Sequence, residues 1–197
     1  MSKNINRILE ISKKHGLTHL GSCISALPML EEIYTIKKLN DKVIMDNGHA
    51  ALALYVILEQ VYDKSAEDIL SHHSIHPDKC EECHIDSSSG SLGHGLGISI
   101  GYVLANPDIT VYCTVSDGSM MEGSNWEALR LIDSLKIKNI KIYVNANGYS
   151  AVAKIDPYFL KQRMHLFNKD IDFRITNNVL PKLQGVQGHY LKVKEIE

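Results

Sequence analysis

The sequence predicts an α/β fold built on a parallel sheet, and three adjacent segments carry that expectation. Residues 109–115 form an apolar run rich in β-branched side chains, the pattern of a buried strand, which Ser116-Asp117-Gly118 ends. Residues 123–135 place Trp126, Ala128, Leu129, Leu131 and Ile132 at helical spacing. Residues 140–144 form a second buried strand, followed by Asn145-Ala146-Asn147-Gly148. Strand, helix and strand in so short a compass make a βαβ unit, whose strands run parallel through a right-handed crossover.

The other segments are read around this unit. Residues 3–14 suit a polar helix, with Ile5, Ile8, Leu9 and Ile11 on one face. A turn is expected over 15–25 and a helix over 26–38, which places Pro28 in a first turn. A further helix covers 47–62. A short one follows, with Ser65 as N-cap and Glu67 and Asp68 in the first turn, where the helix dipole favours carboxylates. Residues 71–92, rich in His, Ser, Gly, Asp and Cys, read as an irregular loop that includes His72, His73 and His84. A small-residue helix spans 93–105. Beyond Ser150 the pattern weakens, and 190–196 reads as a closing strand. No repeat, low-complexity tract or linker divides the chain, so 1–197 is read as one domain.

Composition narrows the function classes. The 197 residues are 44% hydrophobic and 22% charged, ordinary for a globular domain. The formal net charge of −2 offers no basic field to attract nucleic acid or an anionic membrane. No apolar run approaches the roughly 20 residues that span a bilayer, and Met1-Ser2-Lys3-Asn4 opens no signal core. Of the four cysteines, Cys113 sits in an apolar run and Cys23 among small residues. A disulfide framework is therefore not expected, and the cytoplasm is the default compartment.

The βαβ unit also points to chemistry. Its two strands end on the same sheet edge, where ligands of open α/β sheets bind. Asp117 follows the first strand and Asn147 the second, so a carboxylate and a carboxamide oxygen face one pocket. Such hard oxygen ligands suit Mg²⁺ or Ca²⁺, and Mg²⁺ usually combines few protein ligands with phosphate oxygens. Gly118 lets a phosphate approach the backbone, and the N-terminus of the next helix favours the same anion. Asp-Gly and Asn-Gly are also common turns. Their pairing on neighbouring strand ends, with Glu122 and Glu127 between them, favours a metal-diphosphate site.

The stretch SDGSMMEGSNWEALRLIDSLKIKNIKIYVNANGYS resembles the thiamine diphosphate motif, which begins Gly-Asp-Gly and ends near an Asn about thirty residues later. Three upstream segments resemble transketolase in particular: THLGSCIS, DNGHAALALY and SSGSLGHGLGISIGYVLA. They occur in the family's order, and the resemblance covers roughly residues 10–155. It implies the thiamine diphosphate-binding fold, a three-layer α/β arrangement with helices on both faces of the parallel sheet. Ser116 departs from the pattern, since the family usually has Gly there.

By this resemblance Asp117, Asn147 and the backbone carbonyl of Tyr149 match metal ligands, and Gly118 matches a diphosphate contact. Gly90, Ser91 and Leu92 match the loop against the cofactor rings. His49 matches a histidine near diphosphate and substrate, while His19 and His76 match substrate-facing histidines. Glu122 and Glu127 match acidic residues that link paired sites across a subunit interface, and Glu122 is also counted with the cofactor contacts. The implied cofactors are thiamine diphosphate and Mg²⁺ or Ca²⁺. The implied reaction moves a two-carbon ketol unit from a ketose to an aldose.

Transketolase-like enzymes activate the cofactor's aminopyrimidine with a Glu on a separate, pyrimidine-binding domain. Nothing in these 197 residues resembles that domain. A C-terminal transketolase-like subunit is the expected partner, in a heterotetramer of two plus two, with a sugar as substrate. Two other readings are an α subunit of a 2-oxo acid dehydrogenase and a degenerate, non-catalytic module. The three upstream segments favour transketolase over the first, and the intact ligand set argues against the second. His189 follows a Gly, as in a weakly similar family segment, but is not assigned to catalysis. His76, Cys80, Cys83 and His84 offer potential zinc ligands, because Cys-x-x-Cys spacing suits that ion. Adjacent Cys83 and His84 fit one tetrahedral site poorly and no second ligand pair follows, so this segment is read as an ordinary loop.

Overall fold

A computed structural model describes residues 2–150, 152–176 and 180–196. Helix α1 (Lys3–His15) starts at Ser2, whose Oγ accepts from the Ile5 amide, and ends at Gly16 in the left-handed region. Helix α2 (Leu20–Ile36) begins well before residue 26, so the turn expected over 15–25 is shorter and Pro28 lies inside a helix. The reason is burial. Every residue from 20 to 27 is buried, whereas Pro28 is exposed.

Strand β1 (Lys42–Met45) follows, then a 3-10 turn over Gly48–Ala50 and helix α3 (Ala51–Tyr62). Helix α4 (Ala66–His73) is capped by Ser65 Oγ on the Asp68 amide. It holds His72 and His73, so the loop expected from residue 71 starts later. Next come α5 (Gly95–Ala105), β2 (Val111–Ser116), α6 (Gly123–Ser134) and β3 (Ile140–Ala146). Helix α7 (Pro157–His165), strand β4 (Asp172–Ile175) and a final turn of helix, α8 (Val193–Ile196), complete the chain. The strand expected over 190–196 is therefore absent. Val193 packs into the first core from a helical turn instead.

The four strands lie in sequence order and pair in parallel throughout. Alternation along each strand divides the apolar side chains between two faces. Val43 and Met45 join α1 to α4 in one core. Ile44, Val111, Cys113, Val115, Ile142 and Val144 join α5, α6 and α7 in another. The result is the three-layer α/β architecture with helices on both faces.

A parallel sheet gathers its strand ends on one edge, and buried polar contacts fix the loops there. Asp46, 1% exposed, follows β1. Its carboxylate accepts from the amides of Gly93 (3.0 Å) and Gly95 (2.6 Å) and from Asn125 Nδ2 (3.3 Å). These bonds join the end of β1 to the starts of α5 and α6. Gly48 lies so close to the next loop that a Cβ there would sit 2.8 Å from the Gly90 nitrogen. Asp46→Ala would strand buried N–H donors, at about 1–3 kcal/mol for each donor left unpaired. A lower midpoint in chemical denaturation is expected, with a smaller loss for Asp46→Asn. An unchanged Asp46→Ala midpoint would mean that other contacts hold these loops.

Candidate active site

The cavity at the carboxyl edge of the sheet has a volume of about 220 Å³. Asp117, Gly118, Asn147, Tyr149, His19, His49, His76, Gly90 and Leu92 all line it. It therefore brings together nine of the residues singled out from sequence. Ser91 lines an adjoining cavity beside Asp46 and His94 instead. Glu122 is exposed and stands outside the cavity at the N-cap of α6. Glu127 is exposed on α6 and pairs with Arg130 one turn on.

Asp117 is buried where β2 ends. One carboxylate oxygen accepts from the amides of Gly148 (2.7 Å) and Tyr149 (3.1 Å), and the other from its neighbour Gly118 (3.1 Å). The bonds from beyond β3 require a sharp turn, which Gly148 makes at φ +86. Burial pushes the Asp117 carboxyl up to about 6, although the amides of Gly148, Gly118 and Tyr149 pull the other way. Asn147 Oδ1 accepts from the Tyr149 amide (3.0 Å). Ser116 closes the turn around Asp117, because its Oγ accepts from the Ser119 amide (3.0 Å) and lies 3.1 Å from Ser119 Oγ.

The histidines come from separate elements. His19 is the N-cap of α2 in the left-handed region, and its amide donates to the His189 carbonyl at 2.8 Å. His49 lies in the 3-10 turn after β1, with its ring centroid 5.1 Å from that of His19. His189 also lines the cavity, 6.1 Å from His19 between centroids. Its segment has no regular periodicity, and only the local Gly-His pair hints at a role. Burial lowers His19, and the nearby His189 and His76 lower it further. Burial, then His19, His189 and His76, pull His49 down to about 3.

Two buried nitrogens of residues that line this cavity lack hydrogen-bond partners, His19 Nδ1 and Asn47 Nδ2. Asn47 belongs to the DNGHAALALY segment but was not singled out from sequence. Asn47 Oδ1 accepts from Thr114 Oγ1 (3.2 Å), which fixes the side chain.

Residues 2–187 match the family model described as 1-deoxy-D-xylulose-5-phosphate synthase. The chain belongs to this family, a transketolase-type N-terminal domain. It is 32% identical over 148 residues to the 1-deoxy-D-xylulose-5-phosphate synthase of Fusobacterium nucleatum, covering 73% of this chain and 24% of that protein. It is 31% identical over 168 residues to one of the named subunits of the apulose-4-phosphate transketolase of Phocaeicola vulgatus, covering 74% of this chain and 58% of that one. The solved transketolase from Leishmania mexicana superposes with a TM-score of 0.67 at 21% identity, over 83% of this chain and 30% of its own. The transketolase-type domain thus spans only part of the relatives it matches. Among its described residues, no helix is long and apolar enough to cross a membrane.

In this transketolase-type domain the neutral His49 has a pH signature. Between about 3 and the ordinary 6.5, the folded chain binds fewer protons at His49 than the unfolded chain. Its contribution to stability is full above 6.5 and is lost as pH falls toward 3. The His49 ring should keep its neutral NMR shifts at about pH 5, where an ordinary exposed imidazole is charged. His49→Gln should flatten the fall in melting temperature over that range. Titration of His49 near 6.5 would contradict the buried cluster.

Proposed function

We propose that the chain is the thiamine diphosphate- and Mg²⁺-binding subunit of a split transketolase-like enzyme that moves a two-carbon ketol unit from a ketose to an aldose. The observation that carries this reading is the meeting of Asp117 and Asn147, from neighbouring strand ends, with four imidazoles in one cavity. The residues fit the group. Asp117 is a buried carboxylate, and no Lys or Arg stands among the described residues that line the cavity. A divalent cation is the counter-charge this site can take. Asn47 Nδ2 and His19 Nδ1 are buried polar atoms that a ligand would satisfy.

Asp117, Asn147 and the Tyr149 carbonyl would hold the metal. The Gly118 backbone and Asn47 would hold the diphosphate, and Gly90 and Leu92 would lie against the rings. When bound, thiamine diphosphate supplies the electron sink for ketol transfer. A neutral imidazole can donate at one ring nitrogen and accept at the other. His49, held neutral, can therefore orient a sugar hydroxyl without adding charge beside Asp117. His19, His76 and His189 line the same cavity and would offer further contacts on the substrate side.

Asp117 is the only carboxylate among the described residues that line the cavity. The group that activates the aminopyrimidine is accordingly assigned to a partner subunit. The Phocaeicola vulgatus relative, named as one subunit of its transketolase, supports that division. So does the volume of about 220 Å³, below the roughly 300–1,000 Å³ of most small-molecule pockets. A second polypeptide would supply the other wall, in an assembly of two plus two, with Glu122 and Glu127 where paired copies meet.

Asp117→Asn keeps an acceptor for the Gly148 and Tyr149 amides while removing the charge, so the fold should persist. In calorimetric titration, the variant with its partner should lose Mg²⁺-dependent binding of thiamine diphosphate. Wild-type affinity in a folded variant would refute the metal assignment. The isolated chain should also leave proton-deuterium exchange at the thiazolium carbon slow, and added partner should accelerate it. Fast exchange on the chain alone would remove the case for a split enzyme.

A further inference from the structure

We infer that His73, Cys80 and Cys83 form a Zn²⁺ site, separate from the cavity above, that fastens the loop carrying His76 and Gly90 to the helical layer beneath it. His73 Nε2 lies 3.4 Å from Cys83 Sγ. One ligand atom from each of the three residues lies within 4.8 Å of the others. Tetrahedral zinc with Zn–S near 2.3 Å and Zn–N near 2.0–2.1 Å sets such atoms roughly 3.6–3.8 Å apart. Small side-chain adjustments therefore separate the observed positions from a coordinating set.

The backbone explains why the thiols converge. The Cys80 amide donates to the Ile85 carbonyl (2.9 Å) and the Ile85 amide to the Cys80 carbonyl (2.8 Å), which closes a tight hairpin. Inside it, the His84 amide donates to the Glu81 carbonyl (3.1 Å), with His84 in the left-handed region at φ 57. The Cys83 amide then donates to Cys80 Sγ at 3.3 Å, an outer-shell bond that suits a metal-bound thiolate. The third ligand comes from α4, whose last residue is His73. A cation at the end of a helix also meets the negative pole of its dipole.

This arrangement removes the difficulty seen in the sequence. His84 turns away and stacks on Tyr62 with centroids 3.8 Å apart, so adjacent Cys83 and His84 need not share one ion. His76 lines the other cavity. Two thiolates and an imidazole select zinc over the hard Mg²⁺, and water completes the tetrahedron beside the half-buried cysteines. The ion would act on the cavity through the backbone. The Ser89 amide donates to the Pro77 carbonyl at 2.8 Å, and a Cβ on Gly90 would lie 3.4 Å from His76. Fixing Cys80 and Cys83 against α4 therefore fixes the segment that presents His76 and Gly90.

Metal analysis of the full chain, purified without a metal-affinity tag or chelator, tests the site. About one zinc per chain is expected, falling to background when Cys80→Ser and Cys83→Ser are combined. Metal-free wild-type chain titrated with Co²⁺ should develop the visible bands of tetrahedral cobalt and a thiolate charge-transfer band, both abolished by Zn²⁺ and unaffected by Mg²⁺. This readout uses folded wild-type protein, so it holds whether or not the serine variants fold. His73→Gln should weaken zinc by more than the roughly 10–100-fold cost of losing an outer-shell contact. Absence of both zinc and the cobalt-thiolate band would overturn the site, as would full zinc in the double serine variant. A native mass lower by two hydrogens, from a Cys80–Cys83 disulfide, would overturn it in favour of a redox pair.

Discussion

A buried carboxylate is costly when no cationic side chain stands beside it, and the cavity is arranged around Asp117, with no Lys or Arg among the described residues that line it. Asp117 sits at the end of β2 and accepts backbone N–H groups from its own turn and from the turn beyond β3. Those bonds tie two strand ends together and set the path that places Asn147 and Tyr149 on the cavity wall. They do not offset burial fully, since the carboxyl still rises to about 6. Other polar contacts elaborate the same scheme. Asp46 does for the amides of Gly93 and Gly95 what Asp117 does for those of Gly148 and Tyr149. Two acidic residues at neighbouring strand ends thus hold the loops, and the surrounding hydrogen bonds depend on their positions.

The βαβ unit was legible because a doubly covered parallel strand must be apolar along its whole length. Residues 111–116 are all buried, and their composition says so. The edge strands carry no such signal. β1 is four residues long between Asp41 and Asp46, and β4 reads Asp-Phe-Arg-Ile with no fully buried residue. Helix α7 did have a local signature, Asp156 capping and Pro157 at the first position, but weak periodicity masked it. The misplaced start of α2 has a different cause. His19 caps it from a left-handed conformation without a side-chain bond, so tertiary burial rather than a recognisable cap sets the boundary.

Site residues were legible where topology alone brings them together. Asp117 and Asn147 end neighbouring parallel strands, and any right-handed crossover delivers both to one edge. Resemblance located His19 and His49, but not the contact between their rings. His189 reaches the cavity because its carbonyl accepts the His19 amide, a long-range bond with no sequence pattern. The pairing of His73 with Cys83 was hidden for a similar reason. A loop reading of 71–92 placed His73 in the same irregular stretch as the cysteines, whereas α4 carries it and the hairpin brings the cysteines back.

The two proposed metal sites differ in the chemistry of their donors. Around Asp117 the side chains proposed as ligands offer oxygen atoms, and burial together with the neighbouring imidazoles holds His19 and His49 below the ordinary imidazole range. Protonating either ring of this pair would add positive charge beside the other, 5.1 Å away between centroids. Under the proposed function such a wall would accept uncharged hydroxyl groups and leave Asp117, the only carboxylate among the described residues that line the cavity, to answer a hard dication. Around His73 the donors are sulfur and nitrogen, which hard cations bind poorly. On the proposed assignments, donor chemistry keeps Mg²⁺ away from the sulfur site. The loop from 74 to 92 runs between them, with Cys80 and Cys83 toward one and His76 and Gly90 toward the other. Order imposed by a metal at the sulfur end would be order gained at the cavity wall.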